Sequence, residues 1–344
     1  MKIAIVGAGF FGLTLGLILS KKHKIEIFEK KKSILNGASS ANQFRFHHGY
    51  HYPRSQKTVA EINHSKDLFT SYFGKNIFGK TINYYLIAKD SKTDFVRYKK
   101  FLTKNKLFFK TLKNLFDQKF IEKFILSDEK ILDYFTFRKK IMKMIKKSNV
   151  KINFNNEFKK SYMNNFDKII VTTYANNNLV LKKLGIKRLN EFKFEFVEKI
   201  LIKLPKKLKK KSYVVVDGNF VCVDPYLGTN YHLLSDVKNS KLETKIGKFP
   251  SFKHKNRKFI NKGLIRDIKI SKFNNFIKRS STYLPFLKDA KYVGSMFVVR
   301  AIMKNKEKTD ERTSTIKFHS KKIISVLSGK WNNCVYLAKN LSIK

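Results

Sequence analysis

Residues 38–55 read ASSANQFRFHHGYHYPRS, placing three histidines, two tyrosines and two arginines in a short run with no acid. Those side-chain types can do chemistry together. An imidazole titrates near neutral pH and can take or give a proton. A guanidinium presents paired N–H donors that match a carboxylate or phosphate. His47 and Arg45 are the candidate catalytic groups, one as base or hydrogen-bond acceptor and one as the anchor of a substrate anion, with a surface or interdomain ion pair as the plainer reading. His47, His48 and His51 could also suggest a metal. A metal is not expected, because Gly49 interrupts the run and no Cys, Asp or Glu flanks it. The phenylalanines of the segment are expected to pack as core.

Such a segment needs a scaffold. KIAIV at 2–6 is a short apolar β run of the kind buried in a parallel sheet. GAGFFGLTLG follows, with Gly7, Gly9 and Gly12 spaced as GxGxxG and Gly16 extending the pattern. Gly7 permits a tight turn, Gly9 lets a pyrophosphate approach the backbone, and Gly12 lets the helix pack close to the strand. The helix start at Phe10 and Phe11 offers free N–H groups and the positive end of a dipole. A second strand, KIEIFEK at 24–30, ends in Glu29, placed to accept hydrogen bonds from an adenosine ribose, with Lys30 beside it. A carboxylate there disfavours a 2′-phosphate and hence NADP. The whole pattern predicts a dinucleotide-binding unit.

The pattern does not continue as simple strand and helix alternation. A helix is expected from Gln56 to about Phe73, then a Lys- and Phe-rich region of mixed character. Helix RKKIMKMIKKS and strands VKINFN and DKIIVTTYA resume the α/β pattern at 138–171. The region 192–237, with FKFEFVEKILIKL and SYVVVDGNFVCVDPYLGTNYHLL, alternates as antiparallel strands with turns at Asp217-Gly218 and Asp224-Pro225. The chain closes with strand KIISVLS, the turn Ser328-Gly329-Lys330 and a helix from about Trp331 to Leu341.

The net charge is +49, from 74 basic and 25 acidic residues. Such a field attracts polyanions. Here Lys is spread along the whole chain, Asn, Ile and Phe are abundant, and no helix-turn-helix, zinc-finger or RNP signature accompanies the charge, so AT-biased coding accounts for it as well as a surface that concentrates an anionic substrate does, and nucleic acid is not an expected partner. KLPKKLKKKS at 203–212 reads as an exposed loop, with peripheral membrane contact left open. Cys222 and Cys334 lie far apart, which argues against a disulfide scaffold, a zinc site or a dithiol centre, and fits a reducing cytoplasm. The apolar N-terminus, with its regular glycines and no cleavage site, reads as neither signal peptide nor membrane span.

Together, GxGxxGxxxG, Glu29, SSANQFRFHHGYHY, DKIIVTTYA, DGNFVCVDP and SVLSGKW resemble the FAD-dependent oxidoreductases of the D-amino-acid oxidase class, which includes glycine, sarcosine and 2-hydroxyglutarate oxidases. The resemblance covers nearly the whole chain. It implies an α/β fold: a Rossmann-like FAD-binding domain (1–60, 130–185 and 290–344) with an inserted α+β substrate domain (61–129 and 186–289) on a mainly antiparallel sheet. It implies non-covalent FAD, contacted by Gly7, Gly9, Phe10, Phe11, Gly12, Glu29, Lys30, Ser39, Ser40, Asn42, Thr172, Thr173, Ser328, Gly329, Lys330 and Trp331. His47, Arg45, Tyr52 and Arg300 are the expected catalytic residues. His48, Tyr50, Tyr226, Tyr231 and His232 are expected to wall the substrate, and Asp310 to be structural. Tyr174 stands where flavoproteins of this class have a glycine.

The expected activity is transfer of a hydride from a carbon bearing a hydroxyl or amine of a small, anionic substrate to flavin N5, with the electron acceptor open. Two alternatives stand beside it: a flavoprotein acting on an activated sugar in polysaccharide synthesis, and a non-catalytic FAD- or polyanion-binding protein.

Overall fold

The computed structural model describes residues 1–344 apart from 117–118, 219, 305–308, 310 and 344, so Asp310 lies outside the described residues. A six-stranded sheet runs in the order Thr315–Phe318, Ile323–Leu327, Lys168–Val171, Lys2–Val6, Lys24–Glu29, Val150–Phe154. Its neighbours are parallel except the first pair. Both faces are buried, which is why the strands read as nearly continuous apolar runs. Ile3, Ile5, Ile25 and Ile27 pack under helices Phe10–Leu19, Tyr134–Lys146 and Cys334–Asn340. Ala4, Val6 and Phe28 pack on the other face with Phe158, Phe166 and Leu181.

The second sheet is ordered Leu264–Ile265, Lys291–Met303, Phe192–Lys203, Tyr231–Asp236, Val221–Tyr226, Lys211–Val216, Ile82–Ala88, Ile121–Ser127, Phe109–Leu112, and Lys241–Gly247 also pairs with Phe192–Lys203. It is antiparallel throughout except between Lys211–Val216 and Ile82–Ala88. The alternation of FKFEFVEK has a direct cause: Phe192, Phe194 and Phe196 enter one apolar cluster, while Lys193, Glu195, Val197 and Lys199 face the cavity between the sheets.

Two expected boundaries shift. Lys291–Met303 pairs along the whole of Phe192–Lys203 and so belongs to the second sheet, although 290–344 was expected in the nucleotide domain. Helix Gln56–Phe73 packs Phe69 and Phe73 on Phe137, so 61–73 lies with the nucleotide side. Its start is capped by Ser55, whose side chain accepts from the Thr58 N–H.

Candidate active site

A cavity of about 1090 Å³ runs from Glu29, Glu157 and Phe158 at one end, past Gly9 and Ser39, to Tyr52, His47, His51 and Lys330 at the other. The glycine turn forms its near wall. Gly7 has φ +106°, a conformation that L side chains rarely adopt. A Cβ on Gly12 would stand 1.9 Å from the Gly7 carbonyl oxygen and 2.7 Å from Thr172 Oγ1, so helix and strand meet there with no room for a side chain. Gly9 differs, since a Cβ there would touch Ser39 Oγ alone, at 3.2 Å, beside open cavity. Free N–H groups at the start of helix Phe10–Leu19 point at that space. Glu29 accepts hydrogen bonds from the Ala8 N–H (2.8 Å) and the Lys31 N–H (2.9 Å), which ties the turn to the end of the second strand. Thr172 Oγ1 donates toward the Val6 and Gly7 carbonyls, both at 3.0 Å.

The opposite wall comes from the C-terminal turn. Ser328, Gly329, Lys330 and Trp331 all line the cavity. A Cβ on Gly329 would stand 2.1 Å from the Arg312 carbonyl oxygen, so the 312–314 backbone presses against this turn. Trp331 stacks on Phe10 with ring centres 5.3 Å apart, and Lys330 Nζ sits 4.7 Å from the centre of the Tyr52 ring.

This groove matches a known family. The model of the FAD dependent oxidoreductases fits residues 2–226, well over half of the chain. The chain belongs to that family. The members of that family are FAD-dependent oxidoreductases. Glycine oxidase from Geobacillus kaustophilus superposes with a TM-score of 0.68 at 13% identity, over 97% of this chain and 91% of that one. NikD, described as an unusual amino acid oxidase essential for nikkomycin biosynthesis, gives 0.72 at 12% identity over 99% and 94%. At such identities the likeness shows the fold alone. The FAD-dependent monooxygenase kojA of Aspergillus flavus is 42% identical over 59 residues, 17% of this chain and only 14% of kojA.

The residues of the groove fit FAD. An extended dinucleotide needs a side-chain-free turn, exposed helix N–H groups and a carboxylate at the second strand end, and Gly7, Gly9, the Phe10 and Phe11 N–H groups and Glu29 provide them. Lys30, Ser39, Asn42 and Thr173 also face the cavity. Ser40 does not, because its hydroxyl turns back to the Gly37 carbonyl. Tyr174, in place of glycine, adopts φ +55°. Its half-buried side chain bridges to the second sheet, the hydroxyl donating to the Ala301 carbonyl and accepting from the Ala301 N–H, both at 3.2 Å.

Beyond the groove, the aromatic segment meets residues far away in sequence. Arg45 is 1% exposed. Its Nε and Nη2 donate to Glu129 Oε2 at 2.9 and 2.7 Å, and its Nη1 donates to Ser212 Oγ at 2.5 Å and to Asp224. The expectation that Arg45 grips a substrate carboxylate is therefore corrected: two buried carboxylates of the chain already take that role. Burial pushes the Glu129 carboxyl up, but Arg45 and then the bond with His47 overcome it and hold Glu129 well below the usual carboxylate range. Glu129 Oε1 accepts from the His48 N–H at 3.0 Å, and Tyr85 donates its hydroxyl to Oε2 at 2.6 Å.

His47 and His51 stand on this base with their rings 4.8 Å apart, edge to face. His47 Nδ1 lies 3.5 Å from Glu129 Oε1, His51 Nδ1 lies 2.6 Å from the Tyr85 hydroxyl, and His51 Nε2 lies 3.7 Å from Cys222 Sγ. Burial, and then the nearby Lys330 charge, lower the His47 pKa to about 4. Burial and His47 lower that of His51. Both rings are neutral at pH 7. Ligating atoms of His47, His51 and Glu129 lie within 4.8 Å of one another, which the local sequence could not foretell because Glu129 is distant in the chain. Both Glu129 oxygens, however, already accept hydrogen bonds.

Several expected wall residues point elsewhere. His48 turns to Asp128 at 3.1 Å, and the Tyr50 hydroxyl donates to Asp128 at 2.6 Å and contacts the Phe108 carbonyl. Tyr226 stacks on Phe44, 5.8 Å between centres, and Tyr231 packs against the same apolar cluster. His232 lies on the far face of its strand, 3.0 Å from the Leu208 carbonyl. None of the five lines the cavity. Arg300 does, but its guanidinium is held by the buried carboxylate of Glu195.

Across three adjacent strands, Lys199, Ser235 and Cys222 stand abreast on the cavity wall. Lys199 Nζ donates to Ser235 Oγ at 2.8 Å, and burial followed by Arg300 lowers its pKa to about 8. Cys222 is a buried thiol pushed up to about 12 by burial and by Asp224. Sequence reasoning missed Lys199, Glu129 and Tyr85. The one available sign for Glu129 was an Asp-Glu pair in a region with few acids.

Proposed function

We propose that the chain oxidises a small anionic substrate at a carbon bearing a hydroxyl or amine, with non-covalent FAD taking the hydride at N5. The observation that carries this reading is Lys199. Its ammonium is part-buried in the cavity wall, on the strand next to Ser235 and in the row that includes Cys222, and among the described residues no carboxylate forms an ion pair with it. A part-buried charge with a hydroxyl but no counter-charge is costly, and an incoming anion relieves that cost. Lys92 and Lys330 line the same end of the cavity and add attraction for an anion. Bound FAD supplies the two-electron acceptor. The chain supplies the rest: Lys199 orients the anionic end, one of the His47 and His51 rings accepts the single hydroxyl or amine proton, and Phe220 and Val237 help exclude water.

The test is anaerobic bleaching of the bound flavin by a panel of 2-hydroxy acids and amino acids. At least one should bleach it. Lys199→Met, checked for unchanged flavin content, should raise the concentration needed for half-maximal bleaching at least ~10-fold, as for loss of a charge-assisted contact worth about 1.5–3 kcal/mol. No bleaching across the panel, or an unchanged requirement in the variant, would overturn the reading. Acid precipitation that leaves the yellow colour in the pellet would overturn non-covalent attachment.

A further inference from the structure

The hydrogen-bond partners of the two cavity histidines determine which nitrogen of each ring carries its proton. Glu129 is the starting point. Held ionised by Arg45, it has lone pairs and no proton to give. The Tyr85 hydroxyl lies 2.6 Å from Glu129 Oε2 and 2.6 Å from His51 Nδ1. It has one proton, which must face the carboxylate, since two oxygen lone pairs would otherwise meet. That leaves a Tyr85 lone pair toward His51, and only a protonated Nδ1 can satisfy it. The remaining nitrogen, His51 Nε2, then carries a lone pair where the ring meets the cavity and Cys222 Sγ. The thiol, protonated in its buried setting, can donate toward it.

The same logic applies directly to His47. Its Nδ1 is buried and approaches Glu129 Oε1 at 3.5 Å, longer than an ideal hydrogen bond but facing only an acceptor. A lone pair on Nδ1 would face the carboxylate charge, so the proton belongs there and Nε2 is left as the basic nitrogen. Lys330 on the cavity side and Arg45 behind the carboxylate both oppose a second proton on the ring.

We propose that the single buried carboxylate of Glu129 sets both histidines, His47 directly and His51 through Tyr85, as Nδ1–H tautomers, so that each offers an unprotonated Nε2 to the substrate as a proton acceptor. Glu129 and Tyr85 are positioning residues: neither touches substrate, and both act through a ring that does. Free imidazole in water favours the other tautomer, with its proton on Nε2, so the arrangement is one the protein must impose. The use of these nitrogens as acceptors rests on the oxidase reading above, whereas the tautomers themselves do not.

The experiment is nitrogen-proton correlation NMR of ¹⁵N-histidine-labelled, FAD-loaded protein at pH 7, with His47→Asn and His51→Asn used to identify the two rings. Each should show a protonated Nδ1 and an unprotonated Nε2. Tyr85→Phe should release His51 toward the Nε2–H form while leaving His47 as it was, a shift that a purely packing role for Tyr85 would not produce. If Tyr85→Phe does not fold, the wild-type signals decide alone. Either ring found as Nε2–H, or as imidazolium, would overturn the proposal. Wrong tautomers in a protein whose flavin is bleached by the panel would sink this inference alone, and correct tautomers with no bleaching would sink only the oxidase reading.

Discussion

Replacing His47 by Asn should flatten the acid side of the stability profile. The ring is 9% exposed, and its pKa falls from 6.5 to about 4 through burial and then Lys330. In the unfolded chain it titrates near its ordinary value. Between the two values the unfolded chain takes up a proton that the folded chain refuses, so stability is complete above about pH 6.5 and is lost as the pH falls toward 4. At about 1.4 kcal/mol per pH unit the whole window amounts to about 3 kcal/mol, of which about 2 kcal/mol is lost between pH 7 and 5. His23, His232 and His319, also lowered by burial, add a slope of the same sign, but add it to both proteins. Glu129, Asp128 and Glu195 are held low and withdraw their stability only below the ordinary carboxylate range. His51 adds a slope of the same sign to both proteins, kept mainly by its own burial in the variant, where the His47 contribution is gone. Urea midpoints followed by circular dichroism at pH 7, 6 and 5, with FAD in fixed excess, give the comparison. His47→Asn should lose about 2 kcal/mol less than the wild type over that range. Equal losses in the two proteins would refute the argument, because they would mean that His47 titrates alike folded and unfolded.

Two further substitutions probe the frame around the site. Arg45→Met leaves Glu129 and Asp224 buried without their shared cation and should cost about 3–5 kcal/mol in urea unfolding, partly regained on adding Glu129→Gln; a cost below about 1 kcal/mol would contradict the network. Gly329→Ala drives a Cβ into the Arg312 carbonyl and must displace the C-terminal turn, at an overpacking cost of about 1–3 kcal/mol. Flavin-fluorescence titration should show FAD affinity reduced about 10-fold or more, and unchanged affinity would mean that this turn does not contact the cofactor.

The parts of the molecule legible in the sequence are those whose signal is local. Strand, glycine turn, helix and second strand lie within the first thirty residues, and each glycine has a reason visible in its spacing. Helix Gln56–Phe73 is marked by Ser55 at one end and Gly74 at the other. The antiparallel strands announce themselves by alternation, since one face meets a phenylalanine cluster and the other a polar cavity. Ile82–Ala88 carries no such mark. Tyr85 and Leu86 are each 0% exposed though they point to opposite faces, so period-two alternation is lost. Its parallel partner, Lys211–Val216, lies more than a hundred residues on. The site was half legible for the same reason. The aromatic segment reveals which groups are present, but not that Glu129 and Asp224 would claim Arg45.

That claim changes what the basic composition means for function. In a chain of net charge +49, acids are scarce, and the buried ones are placed where they matter. Glu129 and Asp224 hold Arg45, Glu195 holds Arg300, and Asp217 holds Arg54. Each of these arginines lines the cavity, and each is turned from a candidate substrate anchor into part of the frame. Lys199, part-buried on the same cavity wall, is treated differently: Ser235 receives it, with a hydroxyl in place of a carboxylate. An anion entering the cavity therefore finds these three arginines already committed and a part-buried ammonium that no carboxylate holds. Specificity for charge at this site follows from where the few acids are spent, more than from the many lysines outside.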